Sequence, residues 1–170
     1  MSQKFTLIPL VAALYSGSLF ASTDVVDVLT VKDLPVLEQE SQHSTASKRV
    51  ANLFTRAHYK PIRFNDVLSS KVFDRYIESL DFNKSVFLAA DVASFEQYRN
   101  QFDNALTTGK LDFTFDIFNL SMKRRFERYD YSLKLLETEM TFDKDDEYYF
   151  DREDAQWAST QAELDELWRE

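Results

Sequence analysis

The chain of 170 residues has no cysteine, two glycines, two histidines and three prolines. Each scarcity removes a class of chemistry. Without Cys there is no disulfide, no thiolate nucleophile, no iron–sulfur cluster and no Cys-rich zinc site. With only Gly17 and Gly109, no phosphate-binding glycine loop, dinucleotide fingerprint or nucleophile elbow can be written. His43 and His58 lie in no HExxH pattern, which argues against zinc. Cations are in deficit, with 20 Lys plus Arg against 29 Asp plus Glu and a net charge of −9. No nucleic-acid partner is expected, because neutralising phosphates takes a surplus of cations on one face.

Aromatic residues are plentiful: 15 Phe, 8 Tyr and 2 Trp. The length allows one domain with a real core and hardly two. With so few turn-formers, the expected fold is all-α, built of several amphipathic helices including one long helix, without a sheet and without cofactor or metal.

The N-terminus reads as an address. Met1–Lys4 carries one positive charge, Phe5–Tyr15 is an apolar run containing Pro9, and the small residues Ser16, Gly17, Ser18 and Ala21 follow. That is the layout of a cleaved secretory signal peptide. The expected cut follows Ala21, leaving 22–170 as a helical domain. The apolar run falls short of the roughly 20 residues a spanning helix needs, so no membrane span is expected after cleavage. Loss of Lys4 leaves 19 basic against 29 acidic residues, or −10. An exported, acidic, Cys-free chain suits the bacterial periplasm better than a disulfide-bearing secreted class.

In the remainder, Val25–Leu34 reads as a lead-in segment. A first helix is expected from about Val36 to Tyr59, with the apolar positions Ala46, Val50, Leu53, Phe54 and Ala57 recurring at spacings of three and four and Pro61 ending it. Asn65 reads as the N-cap of a second helix striped by Leu68, Val72, Phe73, Tyr76, Ile77 and Leu80. Asp81-Phe82-Asn83 is the following turn. Asp91 should cap a third helix with Val92, Phe95, Phe102 and Leu106 inward, stopped by Gly109 in a left-handed conformation. A fourth, long helix is expected from about Asp112 to Glu139. Its residues Phe115, Phe118, Met122, Phe126, Tyr129, Leu133, Leu136 and Met140 recur at spacings of three and four, which keeps one stripe on one face. An acidic, aromatic loop, Thr141–Trp157, leads to Thr160-x-x-Glu163, a capping box for a last helix carrying Leu164, Leu167 and Trp168. No stop signal follows that helix, which suggests a domain truncated at its C-terminal end.

No constellation adds up to catalysis. Asp143-x-Asp145-x-Glu147 with Asp154 faintly follows a calcium loop, but Tyr148 stands where Gly is needed and Asp154 where Glu is; a solvated acidic loop is the simpler reading. Lys123-Arg124-Arg125 with Arg128 is a basic patch, expected to be a charged helix face paired with acidic neighbours or a protein contact. His43 and His58, placed on one helix fifteen residues apart, would stand about 22 Å from each other and cannot share a metal. The chain has no Ser-x-x-Lys; Thr45-x-x-Lys48 is the nearest spacing. Catalytic, cofactor-binding and metal-binding residues are therefore all expected to be none. A self-contained helical binding or adaptor module fits these observations; an independent enzyme has almost nothing to support it.

Several stretches carry a resemblance. Pro35–Lys60 (PVLEQESQHSTASKRVANLFTRAHYK), Lys71–Val92 (KVFDRYIESLDFNKSVFLAADV), Gly109–Glu137 (GKLDFTFDIFNLSMKRRFERYDYSLKLLE) and the pattern Tyr149, Asp151-Arg152, Trp157, Glu163-Leu164, Leu167-Trp168 resemble the N-terminal helical region of bacterial tail-specific (carboxy-terminal processing) proteases. The resemblance implies a much longer parent: a PDZ-like domain selecting apolar C-terminal tails, a protease core with a Ser nucleophile and a Lys base, and a closing helical region. It places no catalytic residue in this chain. It implies that Phe54, Phe73, Tyr76, Phe118, Phe126, Tyr129 and Trp168 are core or inter-domain contacts. The implied partners are the parent's PDZ-like and protease domains, protein substrates with apolar C-termini and, as for some relatives, a lipoprotein adaptor.

Overall fold

The computed structural model describes residues 30–60, 62–139, 143, 145 and 147–169. The expected signal peptide, Pro61 and Met140 lie outside the described residues. Among those described there are six α-helices: α1 (Ser41–Arg56), α2 (Asp66–Leu80), α3 (Ala89–Phe95), α4 (Phe102–Thr108), α5 (Asp112–Leu136) and α6 (Gln161–Arg169). Tight 3-10 turns stand at Val31–Asp33 and Glu96–Tyr98. Strand pairing among the described residues is limited to one isolated parallel bridge, Leu88 with Ala158. The fold is all-α, as its composition indicates.

The first helix starts five residues later than the apolar pattern suggests, because side-chain amides claim the backbone ahead of it. Asn119 on α5 accepts from Leu37 N–H and donates to Leu37 C=O, both at 2.9 Å. Gln39 donates to Gly109 C=O at 2.7 Å and accepts from Leu111 N–H. Residues 34–40 thus form a strap fastened to α5 and to the α4–α5 turn. His43 then acts as an N-terminal cap for α1, its Nδ1 accepting from Glu40 N–H at 3.0 Å. At the other end α1 stops at Arg56, so His58 lies beyond the helix and not on it.

The α2 boundary matches expectation: Asn65 Oδ1 accepts from Leu68 N–H at 3.1 Å, and Lys84 N–H closes the turn onto Asp81 C=O at 3.2 Å. The single helix expected from Asp91 to Gly109 is instead two. Ser69 of α2, fully buried, donates to Arg99 C=O at 2.7 Å and accepts from Phe102 N–H at 2.8 Å. A hydroxyl from a neighbouring helix thus takes groups that helix continuation would use, and the chain bends there. Asp91 sits in the first turn of α3 instead of preceding it, accepting from Leu88 N–H at 3.0 Å. Gly109 ends α4 with φ 73°, as expected.

Phe73, Ile77 and Leu80 of α2 form the core with Phe87, Phe95, Phe102 and Ile117. Its rings meet edge to face, Phe87 on Phe95 at 5.4 Å and Phe102 on Phe113 at 5.0 Å, arrangements that suit the ring quadrupole. The capping pair at the start of α6 forms: Thr160 Oγ1 accepts from Glu163 N–H at 3.2 Å, and Glu163 accepts from Ser159 N–H at 2.7 Å. Leu164 and Trp168 are buried, and Trp168 donates to Ser85 C=O at 2.7 Å.

Candidate functional site

The polar side chains that look most like chemistry are already spent on structure. Asp81, buried at the end of α2, accepts from Ser85 N–H (2.8 Å), Val86 N–H (3.1 Å), Phe87 N–H (3.0 Å) and Trp157 Nε1–H (3.0 Å). The turn after α2 and the 147–157 segment are both tied to this one carboxylate. Lys84 stands over the Trp157 ring at 5.2 Å, which closes the same corner.

Arg99 contacts Asp74 and Glu96, each at 2.6 Å, and lies 4.4 Å over the Phe73 ring. The hydrogen bond to Glu96 above all holds its guanidinium charged beyond the ordinary range, and the same bond holds the Glu96 carboxyl below its ordinary value. Burial pushes the Tyr76 hydroxyl up to about 12; it donates to Thr114 C=O at 2.7 Å and joins α2 to α5.

The basic patch on α5 turns inward on its own neighbours. Arg124 grips Asp91 with two bonds of 2.8 and 2.9 Å and Glu127 with a third of 2.9 Å. The Asp91 bond is the main reason its charge is held. Arg125 donates to Leu80 C=O, and Lys123 lies 3.9 Å from Glu127. Arg124 and Arg125 cross-link α5 to α3 and α2, while Lys123 pairs within α5. His43 lies against Phe115 with centroids 5.3 Å apart, while His58 contacts the Lys60 backbone. Among the described residues, no three His, Asp or Glu side chains converge as metal ligands. No described helix is long and apolar enough to cross a membrane.

Apolar side chains are also exposed among the described residues. In α1 the buried residues are the small Ser47 and Ala51, and Ser47 donates to Leu106 C=O at 2.8 Å. Val50, Leu53 and Phe54 of its apolar stripe are exposed. With Ala51, Ile62, Phe64, Leu68 and Leu106, Val50 and Phe54 line a groove of about 200 Å³. The long α5 behaves alike. Its buried line is Ile117 and Ser121, displaced from the expected stripe, whose outer half stays open: Tyr129 is 59 % exposed, Leu133 40 % and Leu136 67 %. Helices that approach through small residues sit close and turn their large side chains aside.

The seven aromatic residues implied as contacts divide accordingly. Phe73 and Trp168 are core, Tyr76 and Phe118 pack on the core, Phe126 is half-buried, and Phe54 and Tyr129 face out. Sequence reasoning missed Ser69, Asp81, Asn119 and Gln39, whose roles need a partner distant in the chain. Asp81 alone left a local trace, a carboxylate directly after a helix and a few residues ahead of free backbone N–H groups.

What remains is a helical body with structural polar clusters and open apolar faces. A family model described as the tail specific protease N-terminal domain matches residues 50–170. The tail-specific protease of Haemophilus influenzae is 41% identical over 136 residues, which is 79% of this chain and 19% of that protein. The chain spans about a fifth of the length of this curated relative. Helical architecture and sequence match agree: the chain belongs to the tail-specific protease N-terminal domain family.

Proposed function

We propose that this chain is the N-terminal helical scaffold of a periplasmic tail-specific serine endopeptidase that degrades or processes proteins from apolar C-terminal tails. Family membership over residues 50–170 carries the reading, and the signal-like layout of residues 1–21 supports export. Peptide hydrolysis would be done outside these residues, by a Ser nucleophile whose proton a Lys base accepts. The part played here is mechanical: rigid, cross-braced helices hold apolar faces ready for the PDZ-like and protease domains. A lipoprotein adaptor is a further partner of this scaffold.

Sequencing the DNA beyond codon 170 in the same frame tests this directly. An open frame encoding a PDZ-like stretch and a Ser and Lys core is expected, and its product should cleave an apolar-tailed protein. A stop codon at that point would overturn the reading and leave a helical binding module.

A further inference from the structure

Three surface features stand out. One is an acidic groove of about 380 Å³ bordered by Asp74, Glu78, Glu96 and Trp157; two of its carboxylates are held by Arg99, and nothing in it points to a ligand. Another is the α1–α2 groove, too short to specify what fills it. The α5 stripe goes further, because its spacing describes its occupant.

From Phe126 the apolar residues follow at steps of three, four and three to Tyr129, Leu133 and Leu136. This is the a/d alternation of a coiled-coil seam, a narrow stripe that fits another helix at a shallow angle better than a sheet or a broad core. α6 cannot supply that helix. Its Trp168 packs on Tyr131, with ring centroids 5.7 Å apart, and Tyr131 lies about 200° around the helix from Tyr129. Among the described residues α5 therefore has α6 on one side and, from Tyr129 to Leu136, an exposed stripe on the other. Asp130, beside the seam, is partnered within α5 by Lys134 at 2.6 Å, so apolar spacing and not charge describes the occupant. Such an exposed stripe is a liability in a chain that stays alone.

We infer that this seam is covered by an apolar-striped helix, supplied by the part of the same polypeptide that follows residue 170. The inference rests on the reading of the chain as the front of a longer protease, and it adds which face is used and by what kind of element. Intramolecular supply is favoured because the match covers only 19% of the relative, so most of such a polypeptide lies outside these residues. A segment tethered to the same chain also reaches the seam at a high effective concentration.

The test uses the complete protease. A photo-crosslinking phenylalanine analogue is placed at Leu136, and Leu133→Cys is labelled with a maleimide beside the exposed control Lys123→Cys, with sites read by mass spectrometry. Crosslinks to a helix beyond residue 170 of the same chain, and labelling of position 133 about tenfold slower than the control, are expected. Crosslinks between two copies, crosslinks to residues before 30, or equal labelling at both positions overturn the inference. A peptidase assay on the same preparation separates the two failures: an active enzyme with a bare seam sinks only this inference, whereas a frame that stops at 170 sinks the proposed function.

Discussion

Ser69, Asp81 and Tyr76 show how single polar groups hold an aromatic helical body in one arrangement. Ser69→Ala strands Arg99 C=O and Phe102 N–H in a buried site, so a loss of about 2 kcal/mol is expected in urea unfolding. Asp81→Asn turns one acceptor oxygen into a donor facing N–H groups and should cost about 2–4 kcal/mol, with the Trp157 fluorescence moving toward that of exposed indole. Tyr76 gives a pH signature. Its hydroxyl titrates near 12 when folded and near 10 when unfolded. Between those values the unfolded chain binds fewer protons, so stability is intact below pH ~10 and falls as pH rises toward ~12. Tyr76→Phe should flatten that fall while costing about 1 kcal/mol at neutral pH for the bond to Thr114. An equally steep alkaline loss in the variant would assign the effect elsewhere.

Between elements, the decisive joints are the Arg124 clamp and the Gly109 contact. Arg124 and Asp91 are 17% and 11% exposed as side chains, and they fix α5 against the first turn of α3. Arg124→Met leaves a carboxylate poorly solvated and should cost about 2–3 kcal/mol, part of which Asp91→Asn restores in the double variant. Gly109 meets two demands at one position. Its φ of 73° suits glycine, and a Cβ there would lie 2.3 Å from Ser44 Oγ and 2.8 Å from the Ser44 carbonyl. Gly109→Ala should therefore lower stability by more than the ~1 kcal/mol of a left-handed alanine, since backbone of α1 has to move away from α4. Thermal unfolding of the variant checks this, and a change under that figure would mean that α1 yields freely.

For the whole molecule, the open faces of α1 and α5 predict the behaviour of the 170-residue chain alone. It should bind a hydrophobic dye and self-associate at high concentration. Leu133→Glu with Leu136→Glu should reduce dye binding and association in sedimentation measurements, with little change in Tm, because neither residue is in the core. The same chain should show no peptidase activity on an apolar-tailed substrate.

The helical fold, the Asn65 and Thr160 caps, the Gly109 stop and the length of α5 were legible in the sequence, because each depends on residues a few positions apart. The protease resemblance was legible for the same reason, as ordered runs of neighbouring residues. The strap at 34–40, the break between α3 and α4 and the carboxylate hub at Asp81 were not. They depend on Asn119, Ser69 and Trp157 arriving from far along the chain, and a tertiary hydrogen bond to a backbone group outweighs the weak local preference for one more helical turn. Periodicity located the apolar stripes of α1 and α5 without showing that much of each would stand exposed. An apolar stripe records which face of a helix meets some partner, without saying which. Here close approach through Ser47, Ala51 and Ser121 chose the buried faces, and the larger side chains beside them were left outward. Local chemistry settled what the helices are; only packing between distant residues settled which way they face.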